Sequence, residues 1–133
     1  MSYIYVLELT NGCYYVGKTD HVAIRYRQHR MGAGAKWTRL YAPVRLIEAY
    51  QCDIPFEEDR KTKELMALYG IDKVRGGTYV NEELDQYTVA FLQKEIWTGQ
   101  NKCGRCGKSG HYITDCISKY NVRNELIERE YYR

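Results

Sequence analysis

Two runs rich in tyrosine, isoleucine and valine open the chain, and a Thr10-Asn11-Gly12 triplet separates them. Runs of this kind are typical of β-strands, and an Asn-Gly pair between them favours a tight hairpin turn. Strand side chains point alternately to the two faces of a sheet. The first strand therefore places four large side chains on one face: Tyr3, Tyr5, Leu7 and Leu9.

Helix-like and strand-like segments follow in turn. Residues 21–30, 56–69 and 82–98 have the end signals of helices, the last of them with Asn81 as its predicted cap. Residues 44–51 alternate as a third strand. This order predicts an α+β fold in which a small three-stranded antiparallel sheet is flanked by helices.

Composition and charge indicate a polyanionic partner. The chain has fourteen tyrosines and only two phenylalanines. Tyrosine combines an apolar ring with a polar hydroxyl, so it suits solvent-exposed surfaces and stacking on bases. The net charge is +3, and the basic residues concentrate before residue 46 and after residue 100, around an acidic middle. This distribution predicts two surfaces that face a polyanion.

The chain has the features expected of an intracellular protein in a reducing compartment, without distinguishing nucleus from cytoplasm. No apolar stretch approaches a membrane span, and the N-terminus lacks the layout of a signal peptide. Of five cysteines, Cys13 and Cys52 are expected as free thiols, and the other three lie in the metal-binding pattern described below.

The hairpin carries a resemblance to a known family. Tyr3-Ile4-Tyr5 and Tyr15-Val16-Gly17 resemble the two halves of the signature that names the GIY-YIG nuclease family, with Tyr3 in place of a glycine. Arg25 lies eight residues after Gly17, where the family has its catalytic arginine, and His29 follows one helical turn later on the same face.

The resemblance implies roles for these side chains in phosphodiester hydrolysis. Arg25 would bind the scissile phosphate and stabilise its developing charge. Either Tyr5 or Tyr15 would accept or relay the proton of the attacking water, and the residues alone leave that choice open. His29 would assist the leaving group or hold the phosphate, and Lys18 is a further phosphate ligand.

The resemblance also implies a carboxylate on the helix after the third strand, holding one Mg²⁺ or Mn²⁺. Glu58 is favoured because it shares the side of the helix that Leu65 and Met66 turn toward the sheet. Asp59 and Glu64 remain alternatives. Arg27 on the basic helix, and Arg75 beside the Gly76-Gly77 pair, are expected to contact nucleic acid; a plain tight loop is the alternative for the second.

A second pattern lies near the C-terminus. Cys103, Cys106, His111 and Cys116 follow C-x2-C-x4-H-x4-C, the spacing of a CCHC zinc knuckle. These ligands suit a closed tetrahedral Zn²⁺ site, and so short a segment must draw most of its folding energy from the metal.

Zinc knuckles commonly bind single-stranded nucleic acid through two hydrophobic side chains and nearby basic residues. Tyr112 matches the second hydrophobic position, whereas Gly104 stands at the first. Phosphate contacts are expected from three basic residues: Lys102, Arg105 and Lys108. A purely structural role for the knuckle is the alternative.

These predictions divide the chain into a nuclease-like core (1–81), a linking helix (82–99), a zinc knuckle (100–117) and a terminal helix (118–133). The leading hypothesis is a divalent-metal-dependent DNA endonuclease, acting on branched or single-stranded DNA among possible substrates, with RNA not excluded. The competing hypothesis is a catalytically inactive nucleic-acid-binding module on the same scaffold. The oligomeric state and the preferred DNA structure are not specified by the residues.

Overall fold

The structure is a computed structural model that describes residues 1–127. The chain divides into two compact units, of which the first comprises Met1–Leu84 and the second begins at Asp85. Each unit is described by itself. No helix among the described residues is long and apolar enough to cross a membrane.

The predicted hairpin is confirmed. Strands β1 (Tyr3–Leu9) and β2 (Tyr14–Thr19) pair antiparallel, with Tyr5 opposite Gly17 and Leu7 opposite Tyr15. The turn between them uses left-handed backbone at Asn11 (φ 62°) and Gly12 (φ 70°). Asparagine and glycine tolerate this conformation best, which explains why the pair marks the turn.

The sheet has four strands and is mixed, so the three-stranded antiparallel sheet was wrong in this respect. Strand β3 (Pro43–Gln51) pairs antiparallel with β1, and β4 (Val74–Gly76) pairs parallel with β2, in the order β3-β1-β2-β4. β4 has three residues, too few to show an alternating pattern. The chain then turns tightly between Gly76 and Tyr79.

Helices cover both faces of this sheet. α1 (Val22–Arg30) and the short α2 (Lys36–Leu40) belong to the face with the buried cluster Tyr5, Leu7, Leu9, Cys13, Tyr15 and Trp37. α3 (Glu57–Tyr69) contacts β2 and β4 and buries Leu65 and Met66. The sheet thus separates two small cores, and the candidate catalytic tyrosines lie in the first.

The second unit contains α4 (Gln86–Gly99) and the cysteine-rich segment. Asp85, rather than Asn81, caps the helix by accepting a hydrogen bond from the Thr88 N–H at 2.8 Å. Leu92 and Trp97 are its buried side chains.

The predicted terminal helix is wrong over residues 118–127, and residues 128–133 lie outside the described part. The Asn121 side chain accepts hydrogen bonds from the backbone N–H groups of Arg123 (2.8 Å) and Glu125 (3.0 Å). These bonds stabilise a turn, and a bridge between Tyr120 and Leu126 closes it. Side-chain capping of this kind competes with helix formation.

Candidate active site and metal centre

A buried chain of polar side chains links β1, α1 and α2. The Tyr5 hydroxyl lies 2.7 Å from His29 Nε2, and His29 Nδ1 lies 2.8 Å from the Thr38 hydroxyl. Thr38 in turn donates to the Ala35 carbonyl at 2.8 Å. Tyr5, His29 and Thr38 are each 1% exposed. Because both ring nitrogens are engaged inside the protein, the direct phosphate contact expected of His29 does not fit this geometry.

Two glycines make room for these hydrogen-bonded side chains. A Cβ atom at Gly17 would lie 2.2 Å from Tyr5 Cζ, and one at Gly34 would lie 2.1 Å from His29 Nδ1. Both distances are far below van der Waals contact, so any larger residue would displace an aromatic ring. Gly34 and Thr38 are positions of this candidate site that the sequence analysis did not single out. Trp37, a large aromatic residue between them in the sequence, is the signal that could have pointed to them, and the structure buries its side chain.

The hydroxyls of Tyr5 and Tyr15 share one electrostatic environment with Arg25. The two tyrosine rings lie 6.3 Å apart, and the Tyr15 ring lies 5.1 Å from His29, between ring centroids. Burial raises the pKa of Tyr5, as does Tyr15, whereas a hydrogen bond and the charge of Arg25 lower it. Burial also lowers the pKa of His29 to about 4, with a smaller contribution from Arg25. His29 is therefore neutral at physiological pH.

Glu58 acts on the same group of side chains. Burial raises the pKa of Tyr15, and the Glu58 carboxylate raises it further while Arg25 opposes both effects. The pKa of Glu58 is itself raised, first by burial and then by Asp59, and Lys18 opposes the shift. The charges of a carboxylate and of a guanidinium thus act on the same phenol.

The other two candidate carboxylates have partners elsewhere. Asp59 accepts hydrogen bonds from the Thr78 backbone N–H (2.8 Å) and hydroxyl (3.0 Å). Glu64 forms ion pairs with Arg60 at 3.1 Å and Lys61 at 2.7 Å. Of the three, Glu58 is the one whose charge reaches the tyrosines, so its oxygens best fit a hard divalent cation such as Mg²⁺ or Mn²⁺.

The candidate nucleic-acid contacts of the first unit separate into exposed and buried residues. Lys18 and Arg27 are exposed. Arg75 is 4% exposed, and it lies 4.6 Å over the Trp37 ring. Its guanidinium donates to four backbone carbonyls, those of Ile71, Val74, Asn81 and Glu82. All three guanidinium nitrogens of Arg75 thus stabilise the loop around β4, and this geometry does not favour the DNA contact expected of Arg75.

The four predicted zinc ligands meet in the second unit. One ligand atom from each of Cys103, Cys106, His111 and Cys116 lies within 4.8 Å of the others. Tetrahedral Zn²⁺ bound at about 2.3 Å places its ligand atoms roughly 3.8 Å apart, so this donor set fits the ion. Backbone N–H groups of Arg105 (3.3 Å) and Cys106 (3.5 Å) point at Cys103 Sγ, as thiolate ligands require.

The knuckle packs against its own helix. A Cβ atom at Gly104 would lie 2.7 Å from the Thr98 hydroxyl, and one at Gly107 would lie 2.6 Å from the Trp97 indole. An aromatic residue at position 104 would not fit, which explains why the first stacking position is absent. Tyr112 is 64% exposed.

The basic residues of the knuckle differ in their surroundings. Arg105 donates to Cys116 Sγ (3.2 Å) and to the Ser118 carbonyl (2.7 Å), so its guanidinium holds the knuckle rather than facing outward. Lys108 is exposed, and Lys102 is half-buried.

Comparisons with known proteins identify the family of the chain. Residues 1–65 match the profile of the GIY-YIG catalytic domain. The chain is similar to a UPF0213 protein of Streptococcus pneumoniae serotype 4, at 48% identity over 72% of this chain and 93% of the relative.

Two other relatives are UPF0213 proteins as well. That of Cupriavidus pinatubonensis is 49% identical over 34% of this chain and 50% of the relative. That of Halobacterium salinarum is 37% identical over 51% of this chain and 88% of the relative. No solved structure matches the chain. The signature hairpin, the helix α1 that carries Arg25 and these relatives together show that the chain belongs to the GIY-YIG family of nucleases, among its UPF0213 members.

Proposed function

We propose that this protein is a divalent-metal-dependent endonuclease that hydrolyses DNA phosphodiester bonds. The observation that carries the proposal is the electrostatic coupling of Tyr15, Arg25 and Glu58 beside the buried Tyr5–His29 pair. Hydrolysis of a phosphodiester needs a group that binds the phosphate, a proton acceptor for water and a carboxylate that holds a cation. These side chains supply all three.

Arg25 binds the scissile phosphate in this proposal. Its guanidinium donates to Gln28 Oε1 at 2.9 Å, and its interaction with the Tyr5 hydroxyl lowers the pKa of that phenol. It is half-buried, which strengthens its attraction for an anion relative to a fully exposed side chain. The negative charge that develops on the phosphate is stabilised there.

Tyr15, in its phenolate form, takes the proton of the attacking water. At Tyr15 the Glu58 charge is the largest effect on the pKa after burial, whereas at Tyr5 both Tyr15 and Arg25 act more strongly than Glu58. We therefore assign the proton transfer to Tyr15, and the more deeply buried Tyr5 supports it. A cation on Glu58 supplies the positive charge that lowers the pKa of a nearby phenol and of bound water.

Basic residues and one tyrosine hold the substrate. Lys18 and Arg27 flank the site in the first unit, and in the second unit Lys102, Lys108 and Tyr112 form an auxiliary contact for nucleic acid. Contacts of this type go to phosphates and to base faces and carry little sequence information. We therefore expect binding that tolerates many sequences and weakens with salt.

A cleavage assay tests the proposal. Supercoiled, branched and single-stranded DNA are each incubated with Mg²⁺, Mn²⁺ or EDTA. We expect metal-dependent cutting that falls at least about 100-fold in Tyr15→Phe, Arg25→Ala and Glu58→Gln, since each removes one catalytic group. Tyr14→Phe is the matched control, because Tyr14 is the neighbouring residue and stacks on Tyr69 at 4.1 Å, away from the site.

Two results would contradict the proposal in different ways. Binding without cutting on every substrate and with every metal would favour the inactive binding module. Full activity in Glu58→Gln, with loss in Glu64→Gln or Asp59→Asn, would assign the metal to another carboxylate. RNA substrates in the same assay report which polymer is preferred.

A further inference from the structure

The geometry points to Thr38 as a positioning residue that selects one tautomer of His29 and thereby orients Arg25. Its consequence for cleavage rests on the proposed function, whereas the tautomer itself does not. Thr38 lies on α2, outside the hairpin and the arginine helix, and it touches neither the phosphate nor the metal ligand of the proposal.

The argument begins with the single proton of the Thr38 hydroxyl. That proton is donated to the Ala35 carbonyl at 2.8 Å. Toward His29 Nδ1, also at 2.8 Å, the same oxygen can then only accept. Nδ1 must therefore carry the imidazole proton, which leaves Nε2 of the neutral ring as an acceptor.

The next hydrogen bond follows from the first. Since Nε2 has no proton, the Tyr5 hydroxyl donates to it across 2.7 Å. The oxygen of Tyr5 keeps its lone pairs for another donor, and the guanidinium of Arg25 is the group beside it. All donors in this row of hydrogen bonds point the same way, from Tyr5 through His29 to Thr38 and a backbone carbonyl.

The opposite tautomer would break this order. With the proton on Nε2, His29 would donate to Tyr5, and the Tyr5 O–H would have to turn toward the guanidinium, where two donors would face each other. Bulk water does not reach the chain to compensate, because Tyr5, His29 and Thr38 are each 1% exposed. A buried donor without an acceptor is costly, so one hydroxyl on α2 determines the orientation at Arg25.

Gly34 supports the same arrangement. The imidazole packs so closely on this glycine that a Cβ atom would lie 2.1 Å from Nδ1. The segment from Gly34 to Thr38 therefore fixes both the position of the ring and the direction of its hydrogen bonds. Such control of a histidine tautomer by a second group is a recognised way of orienting catalytic side chains.

Long-range ¹H–¹⁵N NMR of the imidazole tests the tautomer directly. We expect wild type and Thr38→Ser to show one neutral tautomer, protonated on Nδ1. In Thr38→Val, which keeps the shape but removes the acceptor, we expect the Nε2-protonated form to become a major species. Thr62→Val is the matched control, because Thr62 is also buried and donates to a helix carbonyl, that of Glu58, at 2.7 Å.

Cleavage kinetics test the consequence. We expect Thr38→Val to lower kcat about tenfold with little change in KM, since Arg25 is displaced mainly from the charge that develops in the transition state. Thr38→Ser should restore the rate.

An Nε2-protonated ring in the wild type, or an unchanged tautomer in Thr38→Val, would overturn the inference. So would a full cleavage rate in Thr38→Val. A wild type that never cuts DNA would overturn the nuclease proposal alone, because the NMR result is independent of activity.

Discussion

The two units of this protein organise their functional residues in opposite ways. In the first unit the candidate site draws side chains from residue 5 to residue 58, and hydrogen bonds and packing hold them. In the second unit four ligands lie within fourteen residues, and a metal ion is what would hold them. One site therefore depends on the whole sheet, and the other on a single ion.

The largest expected effect is the loss of zinc. Structural zinc contributes on the order of 10 kcal/mol to the folding of such short segments. We expect a strong chelator, or Cys106→Ser, to collapse the dispersed NMR signals of residues 101–127 while the signals of β1 and β2 persist. Metal analysis should find one zinc per chain in the wild type.

Cys52→Ser is the control for that experiment, since Cys52 lies outside the cluster. Signals of residues 101–127 that remain dispersed without metal would contradict the comparison. They would mean that packing on α4 alone maintains the knuckle.

Two arginine variants in the first unit distinguish a side chain that stabilises the fold from one that contacts the substrate. Arg75→Gln removes hydrogen bonds to four backbone carbonyls, so we expect the free energy of unfolding to fall by about 3 kcal/mol or more. Arg27→Gln, at an exposed position, should change stability by less than about 0.5 kcal/mol.

For DNA binding we expect the larger effect from Arg27→Gln and the smaller effect from Arg75→Gln. Arg27→Gln is expected to reduce the salt dependence of DNA binding by about one unit of slope, as the loss of one phosphate contact does. Urea unfolding and fluorescence anisotropy measure the two effects. A stable Arg75→Gln protein with weakened DNA binding would contradict this expectation and would support a direct contact between Arg75 and DNA.

The smallest expected effect is the pH dependence of the buried histidine. Burial, followed by the charge of Arg25, lowers the pKa of His29 from 6.5 to about 4 in the folded protein. Between these values the unfolded chain binds a proton that the folded chain does not, so stability decreases as the pH falls from 6.5 toward 4. The loss attributable to His29 is at most about 3 kcal/mol.

Urea unfolding at several pH values measures this term as the difference between wild type and His29→Gln. His21→Gln is the control, because His21 is exposed and should leave the pH dependence unchanged. Identical pH profiles for wild type and His29→Gln would show that the imidazole is not held neutral.

Local patterns in the sequence predicted local structure well. The Asn-Gly turn predicted the hairpin, the Cys and His spacing predicted the ligand cluster, and the helix at 57–69 begins one residue after its predicted start. Each of these signals lies within a few residues along the chain, where turn geometry and helix periodicity act directly.

Features that depend on distant residues were not predictable in this way. Strand β4 exists because β2 offers an open edge, not because Val74-Arg75-Gly76 has a strand pattern. The burial of Arg75 depends on Trp37 and on carbonyls up to Glu82. Similarly, the Asp59 carboxylate accepts hydrogen bonds from Thr78, which lies on a distant part of the chain.

The parallel pairing of β4 with β2 has a consequence for the minimal unit of this fold. The family match ends at residue 65, but the sheet is not complete until residue 76. During synthesis, the ribosome must therefore release the chain well past α1 and α3 before β4 can pair with β2. A chain shortened to residues 1–65 would retain Tyr5, Tyr15, Arg25 and Glu58 yet expose the β2 edge, and open strand edges promote association between chains.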